Sequence, residues 1–364
     1  TVEPKLQTRV LAVTENKNSR VAFLDDHLTH GGSTVNLLRL LPRIKDEGAL
    51  EPVIIASDAG NDLGPLFEQS NVRTVYYEFG SRWSLYDDRI LGAYRCLAKF
   101  APRAVVASHE SVSFDLLRYA PDGVLRIGVV RTDDAWSYNL IRDHVSWLDV
   151  VVGGTRRICR RVREAVGDHP LRVVRIPNGV NPPPALPERS SADPVLKVLY
   201  IGRLAEEQKR ISRFIPIWNE LIRRGIRVRW TFVGDGPQRK DLENGMRCTD
   251  SQRAFFPGNV HPGEVSHYCR QHDVITLVSD YEGLTIGVLE GMAHGLVPVV
   301  TAQHGERPDM VADRFGFCVP PDDPGAFVGV LAGFDPLSRE FLELRKTAYL
   351  RIRNEFTHDG KVKA

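Results

Sequence analysis

The segment from Val278 to Thr301 constrains this chain more than any other. Val274–Val278 is a short apolar run and reads as a buried parallel strand. Gly283 follows, where backbone can approach a ligand with no Cβ in the way. Leu284–His294 reads as a helix, with Gly295 as its stop signal. Leu296–Thr301 reads as the next strand. Glu282 and Glu290 therefore bracket the start of a helix. A helix N-terminus offers unpaired N–H groups and partial positive charge, so it suits phosphate. The N–H groups of Gly283, Leu284 and Thr285 would point at that phosphate. Glu290 would accept hydrogen bonds from vicinal hydroxyls such as those of a ribose, and Glu282 from those of a sugar. The plainer reading is a βαβ unit with two solvated glutamates, and spacing alone does not separate the two.

The rest of the chain supplies room for two domains. Its 364 residues exceed what one core usually serves, and 42% hydrophobic with 26% charged residues is an ordinary globular balance. The formal net charge of +2 does not point to nucleic acid. No apolar run approaches the ~18 residues of a membrane span. The N-terminus has no signal-peptide pattern and begins without Met, as a trimmed chain would. Cys96, Cys159, Cys248, Cys269 and Cys318 show no metal-type spacing, and an odd, scattered set fits a reducing cytosol.

Taken in order, an extra strand is expected near Val10–Val13, then Arg20–Leu24 as the first firm strand. The loop from Asp25 to Ser33 carries Gly31 and Gly32 and leads into a helix from Thr34 to Ile44. Strand, Gly-Gly loop and helix form an arrangement that faces an anion, or else a simple βα turn. Val53–Ala56 and Val72–Tyr77 read as strands, Leu85–Phe100 as a helix. Ala104–Ala107 is a buried strand with His109 just beyond its C-terminal end, where open α/β sheets bind ligands. Leu125–Val130 is followed by Arg131, Asp133 and Asp134, and the two aspartates read as loop charge rather than as metal ligands. The helix carrying Arg156, Arg157, Arg160, Arg161 and Arg163 is amphipathic. Its basic face is either solvated or drawn to anionic lipid or a charged acceptor. Asn181–Pro187 is proline-rich and reads as an inter-domain linker. A second α/β run starts at Val195–Ile201 and continues through Val228–Val233, Ala254–Phe256 and the helix 262–271. The organisation is two successive doubly wound α/β domains.

Four motifs then occur in one order. They are Ile201 to Leu204 with Lys209, Val233 to Pro237 containing Gly234, Phe256 to Val260, and Glu282 with Glu290. Together with Gly31–Gly32 and the turn from Ile176 to Val180, they resemble the retaining nucleotide-sugar glycosyltransferases of family 4 over roughly residues 20 to 330. That resemblance implies the GT-B fold, two Rossmann-like doubly wound parallel-sheet domains facing a central cleft. The domains would be residues 1–181 for the acceptor and 188–337 for the donor, with 338–364 as a helix crossing back. It also implies a nucleoside diphosphate sugar as co-substrate, UDP or GDP foremost, with no metal and no other cofactor. Arg203 and Lys209 resemble the pair that grips the diphosphate, with Arg210 an alternative because Lys209 sits one residue late. Gly234 belongs to the second donor motif. Asn259 and Val260 resemble the nucleobase segment, Gly283 to Thr285 the phosphate loop, Glu290 the ribose ligand, and Glu282 the group near the donor sugar.

The chain departs from that pattern twice. The family often has a histidine where this chain has Arg131, so Arg131 or His109 would line the donor sugar. His304–Gly305 stands where a Gly-Gly pair is common. The reaction implied is front-face substitution, in which the leaving phosphate oxygen takes the acceptor proton and no protein nucleophile is needed. The acceptor would be a glycan, a lipid-linked glycan or a natural product. A cytoplasmic setting is expected, with contact to the inner membrane face through the Arg156–Arg163 helix. A non-catalytic sugar-nucleotide-binding protein and a nucleotide-sugar epimerase are the other readings. A dinucleotide oxidoreductase is disfavoured because Gly234-Asp-Gly lacks a third glycine at the right spacing.

Overall fold

In the computed structural model, residues 19–25, 27–28, 31–48, 50–58, 62–78, 85–108, 111–189, 193–250, 254–312 and 315–363 are described. His109 and the Val10–Val13 segment lie outside them. The chain divides into two compact units, Thr1–Pro177 with Lys361–Ala364, and Asn178–Gly360.

The first unit runs β1 (Arg20–Leu24), α1 (Gly32–Asp46), β2 (Glu51–Ser57), α2 (Gly64–Gln69), β3 (Arg73–Tyr77), α3 (Tyr86–Phe100), β4 (Ala104–Ser108), α4 (Ser111–Leu116), β5 (Leu125–Val130), α5 (Ala135–His144), β6 (Val150–Gly153), α6 (Arg156–Val166) and β7 (Arg172–Arg175). All seven strands are parallel, in the order β3-β2-β1-β4-β5-β6-β7. The sequence reason is visible in β2. Val53 and Ile55 enter one core with Ile90, Leu97, Ile141 and Ile158. Ile54 and Ala56 enter another with Leu37, Leu41 and Phe67. A strand buried on both faces reads as an unbroken apolar run, because successive side chains point to opposite faces and both faces are dry. Asp133 and Asp134 are more than loop charge. Asp133 is buried and accepts from Tyr138 and Arg157, at 2.6 and 2.5 Å. Asp134 caps α5 through the Ser137 N–H.

The second unit runs β8 (Leu196–Ile201), α7 (Phe214–Arg223), β9 (Val228–Val233), α8 (Arg239–Asp250), β10 (Ala254–Gly258), α9 (Val265–Arg270), β11 (Val274–Leu277), α10 (Ile286–Ala293), β12 (Val297–Thr301), β13 (Phe317–Val319), α11 (Pro324–Ala332), α12 (Arg339–Glu355) and α13 (His358–Lys363), whose last residues group with the first unit. Its parallel sheet has the order β10-β9-β8-β11-β12-β13. Trp230, Phe232, Phe214 and Tyr200 pack ring to ring beneath it, with centroids 5.1 to 5.9 Å apart.

The expected boundaries differ from these units. The division falls at Pro177/Asn178, ahead of the proline run. That run is pinned rather than free: the carbonyls of Pro183, Pro184 and Pro187 accept from Tyr349, Arg353 and Arg345 of α12. Helix α12 groups with the second unit, and Lys361 beyond it with the first. Phe341, Ala348 and Ile352 of the helix share a core with Leu289 and Met292 of α10, and burying that apolar stripe fixes where the helix lies.

Candidate functional site

In the second sheet the chain moves from β8 outward to β9 and β10, then returns to lay β11 on the other side of β8. The crevice at such a switch point, beyond the strand C-termini, is where doubly wound sheets bind ligands. Two loops leave the strands there, residues 202–210 after β8 and 278–285 after β11. Bonds from these loops and from Arg213 just beyond the first lace them together. The Asp280 N–H donates to the Gln208 carbonyl at 3.0 Å, and the Gln208 side chain donates to the Tyr281 carbonyl at 3.0 Å. Asp280 takes an ion pair from Arg210 at 2.5 Å and another from Arg213 at 2.6 Å. Burial works to raise the Asp280 carboxyl, but the hydrogen bonds from Arg210 and Arg213 outweigh it and hold the carboxyl below the ordinary range.

This lacing settles the geometry of the cations. Arg210 sits at φ +49°, in the left-handed region, and its guanidinium is spent on Asp280. Lys209 points the other way, with Nζ 2.5 Å from Glu282 Oε1 and side chains only 14% and 7% exposed. Arg203 is exposed and enters no ion pair among the described residues. Its backbone is fixed from below, where the buried Tyr200 hydroxyl donates to the Arg203 carbonyl at 2.9 Å. Burial first, and the Glu282 charge second, push the Tyr200 phenol well above its usual range, so it stays a donor.

Helix α10 begins four residues after Glu282. Its N-cap, Thr285, accepts no first-turn N–H, and the Thr285 Oγ1 atom is enclosed without a hydrogen-bond partner. The first-turn N–H groups thus have no side-chain cap, and the helix start retains its partial positive charge. Gly287 and Gly291 bring α10 onto the sheet. A Cβ at Gly287 would lie 2.8 Å from the Ile201 carbonyl, and one at Gly291 2.8 Å from Ile275 Cβ. Asn178, from the Ile176–Val180 turn, donates to the Leu284 carbonyl at 3.0 Å and steadies the buried Gly283–Leu284 segment. Glu290 is half-buried one turn into the helix.

The other predicted positions fall as follows. Gly234, at φ +133°, lies against the neighbouring loop, since a Cβ there would sit 2.0 Å from the Gly202 carbonyl. A Cβ at Gly236 would likewise lie 2.2 Å from the Leu204 carbonyl, so this glycine pair serves backbone packing around Arg203. Asn259 is exposed and Val260 half-buried just after β10. Gly31 and Gly32 open α1 in the first unit and are exposed, and a Cβ at Gly31 would meet nothing within 4 Å. Arg131 follows β5 in the first unit. His304, at φ +47°, stacks on Tyr281 with centroids 6.1 Å apart. On α6 the basic residues are largely engaged: Arg157 with Asp133, Arg160 and Arg161 with Glu164, Arg163 with the Val173 carbonyl. Among the described residues no group of three or more His, Cys, Asp or Glu is placed to hold a metal, and no helix is long and apolar enough to cross a membrane.

Sequence reasoning missed Tyr200, Gln208, Asp280 and Arg213, which shape the loops without pointing into them. The one signal available was Asp280 preceding Glu282 by two residues while two arginines flank Ile211–Ser212.

Residues 196–333 match the model of a family described as Glycosyl transferases group 1. A curated relative, the putative colanic acid biosynthesis glycosyltransferase WcaL of Escherichia coli, is 29% identical over 48% of this chain and 43% of its own length. The sulfoquinovosyl transferase SQD2 of Arabidopsis thaliana is 32% identical over 35% of this chain and 24% of its own. The chain thus spans less than half the length of these relatives. Among solved structures, HepE of Anabaena in complex with UDP-glucose superposes with a TM-score of 0.77 at 16% identity, over 94% of this chain and 97% of that one. Sucrose-phosphate synthase of Thermosynechococcus elongatus gives 0.76 at 17%, over 95% and 97%. The chain has the GT-B fold, and its second unit follows the pattern of Glycosyl transferases group 1 across residues 196–333.

Proposed function

We propose that this chain is a glycosyltransferase that moves a sugar from a nucleoside diphosphate sugar to an acceptor hydroxyl with retained anomeric configuration. The carrying observation is the Lys209–Glu282 pair four residues before the uncapped start of α10, at the switch point of the second sheet. The sugar-transferring names of the relatives and the UDP-glucose held by HepE support the same reading.

The diphosphate lies against the N–H groups from Gly283 into α10, with Lys209 and Arg203 as its cations. An ammonium has three N–H donors, so Lys209 keeps Glu282 and still has two for phosphate. Arg210 is the alternative cation; its ion pair with Asp280 favours Lys209 for the role. Glu290 takes the ribose hydroxyls, Asn259 and Val260 border the base, and Glu282 meets the sugar. UDP is the first donor nucleotide to test and GDP the second. In the transfer, the acceptor oxygen bonds to the anomeric carbon on the face from which the diphosphate departs. The carbon–oxygen bond to phosphate breaks, and the acceptor proton passes to the leaving phosphate oxygen. Fixed cations and a helix N-terminus stabilise the charge that develops there, which is the largest service a site can render such a step. The same groups let the reaction run without a divalent metal.

Calorimetric titration of UDP, GDP, ADP and TDP without metal tests the site. One diphosphate is expected to bind, and its sugars to be transferred in excess EDTA, with the product anomer assigned by proton NMR. Binding of none of the four, or metal-reversible loss of turnover, overturns the reading.

A further inference from the structure

Strand β12 lies beside β11, with Val300 level with Leu277, so the loops after both strands leave the same edge of the second sheet. The loop after β11 carries Tyr281 and Glu282. The one after β12 is a tight turn from Gln303 to Glu306. The Gln303 N–H donates to the Glu306 carbonyl at 2.9 Å, and the Glu306 N–H to the Gln303 carbonyl at 2.8 Å. Its central residues, His304 at φ +47° and Gly305 at φ +76°, are both left-handed, the pattern of a type I′ turn. Glycine holds that backbone without strain, and histidine does not. His304 nevertheless stands there, exposed, with its ring stacked on Tyr281 at 6.1 Å and 23°. Tyr281 is itself fixed, since its carbonyl accepts from the Gln208 side chain at 3.0 Å, and it adjoins Glu282. Backbone strain of this kind persists only where the surroundings hold it, and it clusters at ligand sites. Gln303 points the same way. It is buried, and its Nε2 is enclosed with no hydrogen-bond partner among the described residues, a donor that a ligand hydroxyl would satisfy.

We propose that His304 is a specificity residue for the donor sugar, its imidazole hydrogen-bonding a hydroxyl of the sugar to be transferred. This role rests on the donor site proposed above and names the group that tells one sugar from another there. An imidazole carries both a donor and an acceptor nitrogen, and a sugar hydroxyl answers either. The stack on Tyr281 fixes the ring plane, so a hydroxyl in one configuration meets it better than its epimer.

The test is calorimetric titration of the full chain with UDP, UDP-glucose, UDP-galactose and UDP-glucuronate, and with GDP and GDP-mannose. The parent is compared with His304→Gly and His304→Asn. Glycine and asparagine both suit the left-handed backbone, but only asparagine keeps hydrogen-bonding groups. His304→Gly is expected to bind the parent's preferred sugar nucleotide about 3- to 10-fold more weakly, the worth of one hydrogen bond, and the bare diphosphate within about twofold of the parent. His304→Asn is expected to bind both within about twofold of the parent, and both variants to melt no lower than the parent. A purely structural histidine would instead lower Tm in His304→Gly and leave the sugar nucleotide unaffected. No loss for the sugar nucleotide, or an equal loss for the bare diphosphate, overturns the role of His304 and leaves the donor site standing. A parent that binds a bare diphosphate but none of the sugar nucleotides overturns it too. A parent that binds neither diphosphate overturns the donor site and this role with it.

Discussion

Removing the ammonium of Lys209 separates what that residue does for the fold from what it does for a ligand. In Lys209→Met the Glu282 carboxylate, 7% exposed, is left without its partner at 2.5 Å. Stranding one member of a buried pair costs about 3–5 kcal/mol, and the 14% exposure of Lys209 places this case toward about 3. Adding Glu282→Gln removes the stranded charge. The double variant should therefore recover to within about 1 kcal/mol of the parent, because replacing both members of a buried pair is often close to neutral. A double-mutant cycle from urea unfolding should thus give a coupling of at least about 2 kcal/mol, larger by whatever Glu282→Gln costs alone. Diphosphate binding follows a different order. Lys209→Met and the double variant both lack the cation, so both should lose about 10- to 100-fold in UDP affinity, the worth of one charge-assisted bond. Glu282→Gln alone keeps the cation and should hold UDP within about threefold. The reasoning fails if the double variant is as unstable as Lys209→Met. It also fails if the double variant binds UDP like the parent, since Lys209 would then be a structural cation only.

Three further outcomes follow from the second unit. Gly234→Ala puts a Cβ 2.0 Å from the Gly202 carbonyl at φ +133°, so it should destabilise by more than about 3 kcal/mol and disturb the Arg203 loop, as read by urea unfolding and UDP titration. Asp273→Asn weakens the two bonds from Arg189, at 2.7 and 3.1 Å, and the one from the Lys197 N–H, at 3.0 Å; a loss of about 3 kcal/mol is expected, and a loss under 1 would refute that account. His272 and His294 are buried, and burial pulls both imidazoles below their usual pKa. Each Nδ1–H donates to a carbonyl, of Tyr268 or Glu290, and each Nε2 accepts from a hydroxyl, of Thr231 or Ser266, which is the neutral form. The unfolded chain therefore binds more protons, and stability should fall as pH drops through about 6.5, by at most about 2 kcal/mol per histidine at pH 5. His272→Gln should flatten that slope in urea titrations from pH 7.5 to 5, and an unchanged slope would count against the neutral assignment.

How much of this was legible in the sequence depends on the range of the interaction. Parallel strands buried on both faces advertise themselves, because Val53 to Ala56 and Val274 to Leu277 must be apolar at every position. Two doubly wound domains followed from their succession, and the turn at Gly283 followed from the residues beside it. The fate of α12 did not. Its apolar stripe shows that it packs, but not on what, since Phe341 meets α10 across some fifty residues of chain. The ties of the proline run were hidden for a related reason: stiffness is local, whereas the three carbonyls' bonds to Tyr349, Arg353 and Arg345 are not.

The choice between Lys209 and Arg210 shows where a motif stops being informative. Both are cations at nearly the same spacing from β8, and nothing local ranks them. What separates them in the structure is Asp280, seventy residues on, which takes Arg210 and Arg213 together. Arg210 is so held at a positive φ, and the preceding Lys209 pairs instead with Glu282 at 2.5 Å. An Asp280→Ala variant should therefore affect Lys209 through the loop. UDP affinity should fall even though Asp280 touches no phosphate, and the loss should vanish in a Lys209→Met background. An additive loss instead would mean that the two positions act separately, and that the lacing of the loops does not set the direction of Lys209.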